Sequence, residues 1–281
     1  MEDTLYIIGN GFDLYHKLPT AYVNFKRFAG RKNSLNKWLN DAYGPDIIQD
    51  DSWWSDFEIM LSNVNYANLI KTNNEEAIAA DIIKNINNNL SLFFGNWIKQ
   101  VNNSIDINIP PLEEIDPSSL FITFNYTTLL EKLYHVNSNN IWHIHGSVDD
   151  FEKNQKAIIV GHDSNPAQII KYSNNMQHDI SPAFKDAVNQ EILKGAKQVY
   201  RRIERNNERF LDYTNISHYI AMGFSFNEID MPYIKKLAQV NRNIEDAIWT
   251  IYWHQEGEDC TIKKQLKSIG ITDKNIHTIQ W

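Results

Sequence analysis

Two hydrophobic rhythms divide the chain. Near its start, Leu5-Tyr6-Ile7-Ile8 is a continuous apolar run that breaks at Gly9-Asn10-Gly11. An apolar run without polar alternation predicts a strand covered on both faces. From Ala21 the period lengthens: Tyr22, Phe25, Phe28, Leu35, Trp38 and Leu39 keep a helical spacing with a break near Gly30, and Thr20 is placed to cap it. A second helical pattern, Trp53, Trp54, Phe57, Met60 and Leu61, follows Asp51-Ser52. The longest predicted helix covers 75–101, where Ile78, Ile82, Ile83, Ile86, Leu90, Phe93, Phe94 and Trp97 form one apolar stripe. Residues 103–117, with Pro110, Pro111 and Pro117, read as a connector.

After Leu120 the rhythm alternates. Strands are predicted at 120–124, 141–145, 157–160, 219–222, 247–253 and 276–281, and helices at 129–134, 182–212, 233–240 and 261–269. Apolar strands alternating with helices predict an α/β fold, a Rossmann-like parallel sheet with helices on both faces. The first strand belongs with the later ones. Residues 1–20 and 118–281 therefore form the Rossmann-like domain, and 21–117 are a helical insertion after the first strand.

Composition narrows the class. The 281 residues include 13 Phe, 13 Tyr and 8 Trp, which predicts a well-packed core rather than disorder. A net charge of −8 argues against coating nucleic acid, because association would begin against phosphate repulsion. The basic run Lys194, Lys197, Arg201, Arg202, Arg205 and Arg209 reads as a solvated helix face. The single cysteine, Cys260, forbids an intramolecular disulfide and fits a reducing, cytoplasmic location. Met1-Glu2-Asp3 does not resemble a signal peptide, and no apolar run is long enough to span a membrane.

In open parallel sheets, ligands bind beyond the carboxyl ends of the strands. Four predicted strands end in polar, mostly glycine-bearing segments: Gly9-Asn10-Gly11-Phe12-Asp13, Thr123-Phe124-Asn125-Tyr126, His143-Ile144-His145-Gly146 and Gly223-Phe224-Ser225-Phe226-Asn227. The first lets a backbone approach a ligand closely, although the third glycine of a dinucleotide fingerprint is missing. Each segment also has a plain structural reading: a glycine turn, an Asn cap, a satisfied histidine. His143 and His145 alternate onto one face of their strand. With His162-Asp163 they could hold a divalent metal, although the acidic cluster of a two-metal hydrolase is missing. Glu58, within Trp54-Ser55-Asp56-Phe57-Glu58, is either a functional carboxylate or part of an aromatic anchor.

With these residues in view, the chain resembles the bacteriophage abortive infection AbiH family. The resemblance is carried by GNGFDLYHKLPT, by Trp54 to Glu58, by FNYTTLLE from Phe124 to Glu131, by Ile144-His145-Gly146 and by Gly161-His162. That family is in turn distantly similar to the sirtuin-like domains of anti-phage defence. Gly9, Gly11 and Leu18-Pro19, then Thr123-Phe124-Asn125-Tyr126, His145-Gly146, and Gly223-Phe224-Ser225-Phe226 with Asp230 occur in the same order. The departures are Asn10 in place of a small residue, Thr127 in place of an acid, and no zinc ribbon.

The resemblance implies a nucleotide site for NAD, as substrate or ligand, with no metal. Asn125 would orient the ribose or the attacking water, His145 would take a proton, and Asp13 would stabilise oxocarbenium charge. Gly9, Asn10, Gly11 and Phe12 would face the pyrophosphate, Gly223 and Ser225 would line the adenosine side, and Asp230 is a further cofactor-binding candidate. The implied protein is a phage-defence effector that hydrolyses NAD on a phage-derived trigger. Two alternatives stand beside it: a metal-dependent nuclease or other phosphodiester hydrolase built on His143, His145, His162 and Asp163, and a non-catalytic nucleotide sensor. Partners are expected to exclude membrane and nucleic acid. The aromatic-rich residues 21–100 would suit a homo-oligomer.

Overall fold

A computed structural model describes residues 3–45, 47, 50–72, 76–162, 169, 180–254 and 256–281. Its centre is a six-stranded parallel sheet of β1 (Thr4–Ile8), β2 (Leu120–Thr123), β3 (Ile141–His143), β4 (His218–Met222), β5 (Ile248–Trp253) and β6 (Ile276–Gln280). The order is β3-β2-β1-β4-β5-β6. This is the doubly wound Rossmann-like order: the chain winds outward from β1 in one direction, then returns to β4 and winds outward in the other. Right-handed crossovers in opposite directions put helices on opposite faces.

The chain divides into two compact units. The first comprises Met1–Thr20, Ile98–Asp150 and Gln198–Trp281. On one face of its sheet, Leu5, Ile7, Ile122, Trp142, Tyr219, Ala221, Trp249 and Ile251 pack with Ile234 and Leu237 of the helix Met231–Val240 and with Ile262 and Leu266 of the helix Glu258–Ser268. The alternate positions point the other way, and Tyr6 and Phe121 stack there at 4.8 Å. Both faces are thus covered, which is why the strands read as apolar runs. The Pro-rich connector is tied to this sheet. Tyr6 donates its hydroxyl to the Glu114 carbonyl (2.7 Å) and accepts the Asp116 N–H (3.1 Å).

The second unit gathers Ala21–Trp97 and Phe151–Lys197. Its core is aromatic: Phe25 meets Trp54, Phe57, Phe94 and Trp97 with ring centroids 5.2–5.9 Å apart. Residues 151–197 therefore count with the helical segment after β1, whereas the sequence pattern assigns all of 118–281 to the sheet domain. The cause is tertiary. Asn87 donates to the Glu191 carbonyl, and a Cβ on Gly95 would lie 2.3 Å from the Phe151 ring, so only glycine admits that ring. Residues 157–160 form no strand; among the described residues nearby, His162 and Ala196 form an isolated parallel bridge. Thr20 is not the cap of the following helix, Tyr22–Ala29, whose N-cap position is Ala21. Asp50 caps the next pattern, accepting the N–H groups of Ser52 and Trp53. Among the described residues no helix is long and apolar enough to cross a membrane.

β1 and β4 meet at their carboxyl ends through glycine. The Gly9 N–H donates to the Met222 carbonyl (3.1 Å) and the Gly11 N–H to the Gly223 carbonyl (2.8 Å). Gly223 has φ +60, and a Cβ there would lie 2.1 Å from the Phe12 nitrogen. Left-handed strain in a non-glycine residue costs about 1–3 kcal/mol, and overpacking a similar amount. Gly223→Ala should lower the unfolding free energy by at least ~2 kcal/mol, read from denaturant midpoints at unchanged slope. A variant within experimental error of wild type means that the two turns can separate without consequence.

Candidate active site at the carboxyl edge of the sheet

β3, β2, β1 and β4 are neighbours, so the four polar strand ends lie along one carboxyl edge. The strand order reverses between β1 and β4, where open α/β sheets bind ligands. Parallel pairing is prolonged past β2: the Phe124 N–H donates to the Ile8 carbonyl (2.9 Å), and the Thr123 carbonyl accepts the Ile144 N–H (3.0 Å). Residues 124–127 are held between the turns on either side of them and alternate in direction.

Asn125 and Thr127 face Asp13. Asn125 Nδ2 donates to Asp13 Oδ1 (2.8 Å) and to the Gly9 carbonyl (3.0 Å), and the Thr127 hydroxyl donates to Asp13 Oδ2 (2.8 Å). Asp13 lies on the short helix Asn10–Tyr15 and is only 2% exposed. Burial pushes its carboxyl up to about 7, against the hydrogen bonds from Thr127 and Asn125, which favour the ionised form. A carboxyl that titrates there can exchange a proton near neutrality.

Phe124 and Tyr126 face the other way, onto His145. Their rings lie 5.6 and 6.2 Å from the imidazole, and Tyr233 closes in at 6.0 Å. His145 is likewise 2% exposed, and its Nε2 is 3.2 Å from Asp230 Oδ1. Nε2–H donation to that carboxylate makes Nδ1 the basic nitrogen. Asp230 is oriented in turn by Asn227, which accepts its N–H through Oδ1 (3.0 Å) and points Nδ2 toward its carboxylate (3.4 Å).

The sequence candidates thus fall into two pairs, Asp13 with Asn125 and His145 with Asp230, joined by residues 124–127 rather than by a bond between the pairs. Asp230, a cofactor-binding candidate from the sequence, is the partner of His145. The glycine turn spends its donors internally: the Gly9, Gly11 and Phe12 N–H groups go to Met222, Gly223 and Gly9 carbonyls. The Phe12 side chain is fully buried against His16 and Tyr134. Asn10 and Ser225 are the exposed members of the set, and Asn10 Nδ2 donates to the Thr20 carbonyl (3.3 Å). Phe226 is buried at φ +51, a strained conformation for an aromatic residue, in the turn that carries Ser225.

His16, part of the opening motif, is structural. Its Nδ1 donates to the Phe12 carbonyl (2.7 Å), and Nε2 accepts from the Tyr134 hydroxyl (2.6 Å), which itself accepts the Leu112 N–H. Burial lowers its pKa, so the ring is neutral in this arrangement. His143 and His145 do not share a face. β3 ends at His143, and the turn at Ile144-His145 breaks the alternation. His143 instead bonds Glu131 and the Asn125 carbonyl.

The remaining motif residues lie in the second unit. Glu58, partly buried, and the buried Lys197 form an ion pair at 2.8 Å. His162 Nε2 donates to the Ile192 carbonyl (2.8 Å), and burial lowers its pKa. A Cβ on Gly161 would lie 2.3 Å from the Gly195 carbonyl, so Gly161-His162 marks a close backbone approach. Asp163 lies outside the described residues. Among the described residues no group of three or more His, Cys, Asp or Glu is arranged to hold a metal. Sequence reasoning missed Thr127 as a partner of Asp13 and Glu131 as a partner of His143. Both stand in the quoted FNYTTLLE element, and only the fold reveals what they touch.

The native carboxyl of Asp13 keeps its proton up to about pH 7, whereas an unfolded aspartate loses it near 4. Between those values the native state binds more protons, so this group's contribution to stability declines as pH rises. Asp13→Asn mimics the protonated acid. Its melting temperature should equal or exceed that of wild type at pH 8, with the advantage shrinking toward pH 5. A deficit that widens with rising pH would contradict the buried acid.

Neither curated proteins nor solved structures give a match to the chain. The sequence profile described as "Bacteriophage abortive infection AbiH" matches residues 5–82 and 75–253, most of the chain. With that match over most of its length, the chain belongs to the bacteriophage abortive infection AbiH family.

Proposed function

We propose that the protein acts in abortive infection by hydrolysing the nicotinamide–ribose bond of NAD at the carboxyl edge of the sheet. The observation that carries this reading is the placement of two buried titratable side chains, Asp13 and His145, on either side of residues 124–127 at the carboxyl edge of the sheet. A ligand straddling that segment would meet His145 on one side and Asn125 on the other. Both amide hydrogens of Asn125 are used within the protein, so its Oδ1 is the atom left to accept from a ribose hydroxyl or a water. In the reaction the C1′–N bond breaks, its electron pair goes to the nicotinamide ring nitrogen, and water oxygen bonds to C1′. His145, with Nε2 held by Asp230, takes the water proton at Nδ1 and passes it to solvent. Ionised Asp13 would oppose the positive charge that develops on the ribose. Asn10 and Ser225 are the exposed residues best suited to meet the phosphates.

His143, His145 and His162 each hold protein partners, Glu131 and the Asn125 carbonyl, Asp230, and the Ile192 carbonyl respectively, which favours this reading over a metal-dependent nuclease. The test is free nicotinamide measured after incubation with NAD, with and without phage lysate and with and without chelator. Wild type should release nicotinamide in chelator. His145→Ala and Asn125→Ala should each reduce the rate by on the order of 100-fold, as expected on losing a proton-transfer or orienting group. No release under any condition removes the hydrolase reading, and thermal stabilisation by NAD without turnover would support a nucleotide sensor instead.

A further inference from the structure

Behind Asn125 lies a second, partly buried pair that no step above uses. His143, at the end of β3, directs Nδ1 to the Asn125 main-chain carbonyl (3.1 Å) and Nε2 to Glu131 Oε1 (3.0 Å) on the helix Leu129–Leu133. A carbonyl oxygen and a carboxylate can only accept. A neutral imidazole has one N–H and cannot satisfy both, so the ring meets this geometry in its doubly protonated form. The side chains of His143 and Glu131 are 10% and 23% exposed.

We propose that His143 is a positioning residue of the Asp13–Asn125 centre, acting as a partly buried imidazolium clamped by Glu131. The clamp fixes the Asn125 main chain from one side while the carboxamide of the same residue reaches Asp13 and Gly9 on the other. Charge follows the same line. The groups facing His143 are Glu131, Asp150 on the helix Val148–Lys153, and Asp13 on the helix Asn10–Tyr15. Burial disfavours the His143 charge, but Glu131, the Asn125 carbonyl and Asp150 outweigh it and raise the pKa above its ordinary value. His143 in turn favours the ionised form of Asp13, while Glu131 opposes it. One residue thereby couples the geometry of Asn125 to the protonation of Asp13. The kinetic consequence rests on the hydrolase reading; the protonation state does not.

The decisive measurement is a pH titration of the ¹⁵N-histidine-labelled full chain, with the His143 ring signals identified by their loss in His143→Gln. In wild type both ring nitrogens should remain protonated at pH 7, above the midpoint of an ordinary histidine. A His143 ring that is neutral at pH 6 overturns the proposal, with no variant needed. In Glu131→Gln the His143 midpoint should fall by about 1 pH unit or more, the size typical of losing one close opposite charge. The Asp13 carboxyl, followed by ¹³C, should titrate higher in His143→Gln than in wild type, an effect that a merely structural role would not produce. An unchanged Asp13 midpoint in folded His143→Gln also overturns the proposal. If the titrations hold and no nicotinamide is released, the hydrolase reading fails alone. If nicotinamide is released, Glu131→Gln should shift the pH profile of kcat.

Discussion

The carboxyl edge of this sheet depends on one backbone contact, between the turn after β1 and the turn after β4. In an open doubly wound sheet those two turns normally part, because the chain leaves β1 and β4 in opposite directions. Here Gly9, Gly11 and Gly223 let the main chains touch, and the N–H groups of the first turn donate to carbonyls of the second strand and turn. The contact fixes where the short helix Asn10–Tyr15 begins, and so where Asp13 stands beneath Asn125 and Thr127. It also gives the GNG motif a meaning other than a phosphate cradle. The glycines make room for protein backbone.

Residues 124–127 then distribute the chemistry. Successive side chains of this segment go to opposite sides, as their contacts show. Asn125 and Thr127 build a polar centre around a buried acid, while Phe124 and Tyr126 join Tyr233 to build an aromatic wall around His145. One short segment makes two environments of opposite character within a few residues.

Much of this was legible in the chain. The strands were legible because both faces of the sheet are covered, so burial writes continuous apolar runs. The gathering of four polar strand ends followed from parallel order alone. The strand expected at 157–160 failed because Ile158 is buried, and its neighbours partly so, in the helical unit without a ladder to join, and burial alone does not specify pairing. The assignment of 151–197 failed for a similar reason, since its contacts with the earlier helices involve Phe151 against Gly95 and Glu191 with Asn87, far apart in sequence. At the site, residue types were readable and partners were not. Asp230 looked like a ligand contact and is the companion of His145; Thr127 looked like a lost acid and is a hydrogen-bond donor to Asp13.

The energetics of Asp13 argue that the edge is shaped for chemistry rather than for stability. A carboxyl forced to about 7 opposes folding wherever it must ionise, and each unit of pKa shift corresponds to about 1.4 kcal/mol between its two states. An uncharged residue of the same shape would remove that opposition. The strained Phe226 in the facing turn makes the same point in backbone terms. Buried ionisable groups surrounded by partners that only partly favour their charge are poor structural choices, and good ones for moving a proton. Asp13 is such a group, and it is linked through a single asparagine to His143, beyond the carboxyl ends of β1, β2 and β3. A scaffold selected only to fold would have filled that place with apolar side chains, as the opposite face of the same strands does with Leu5, Ile122 and Trp142.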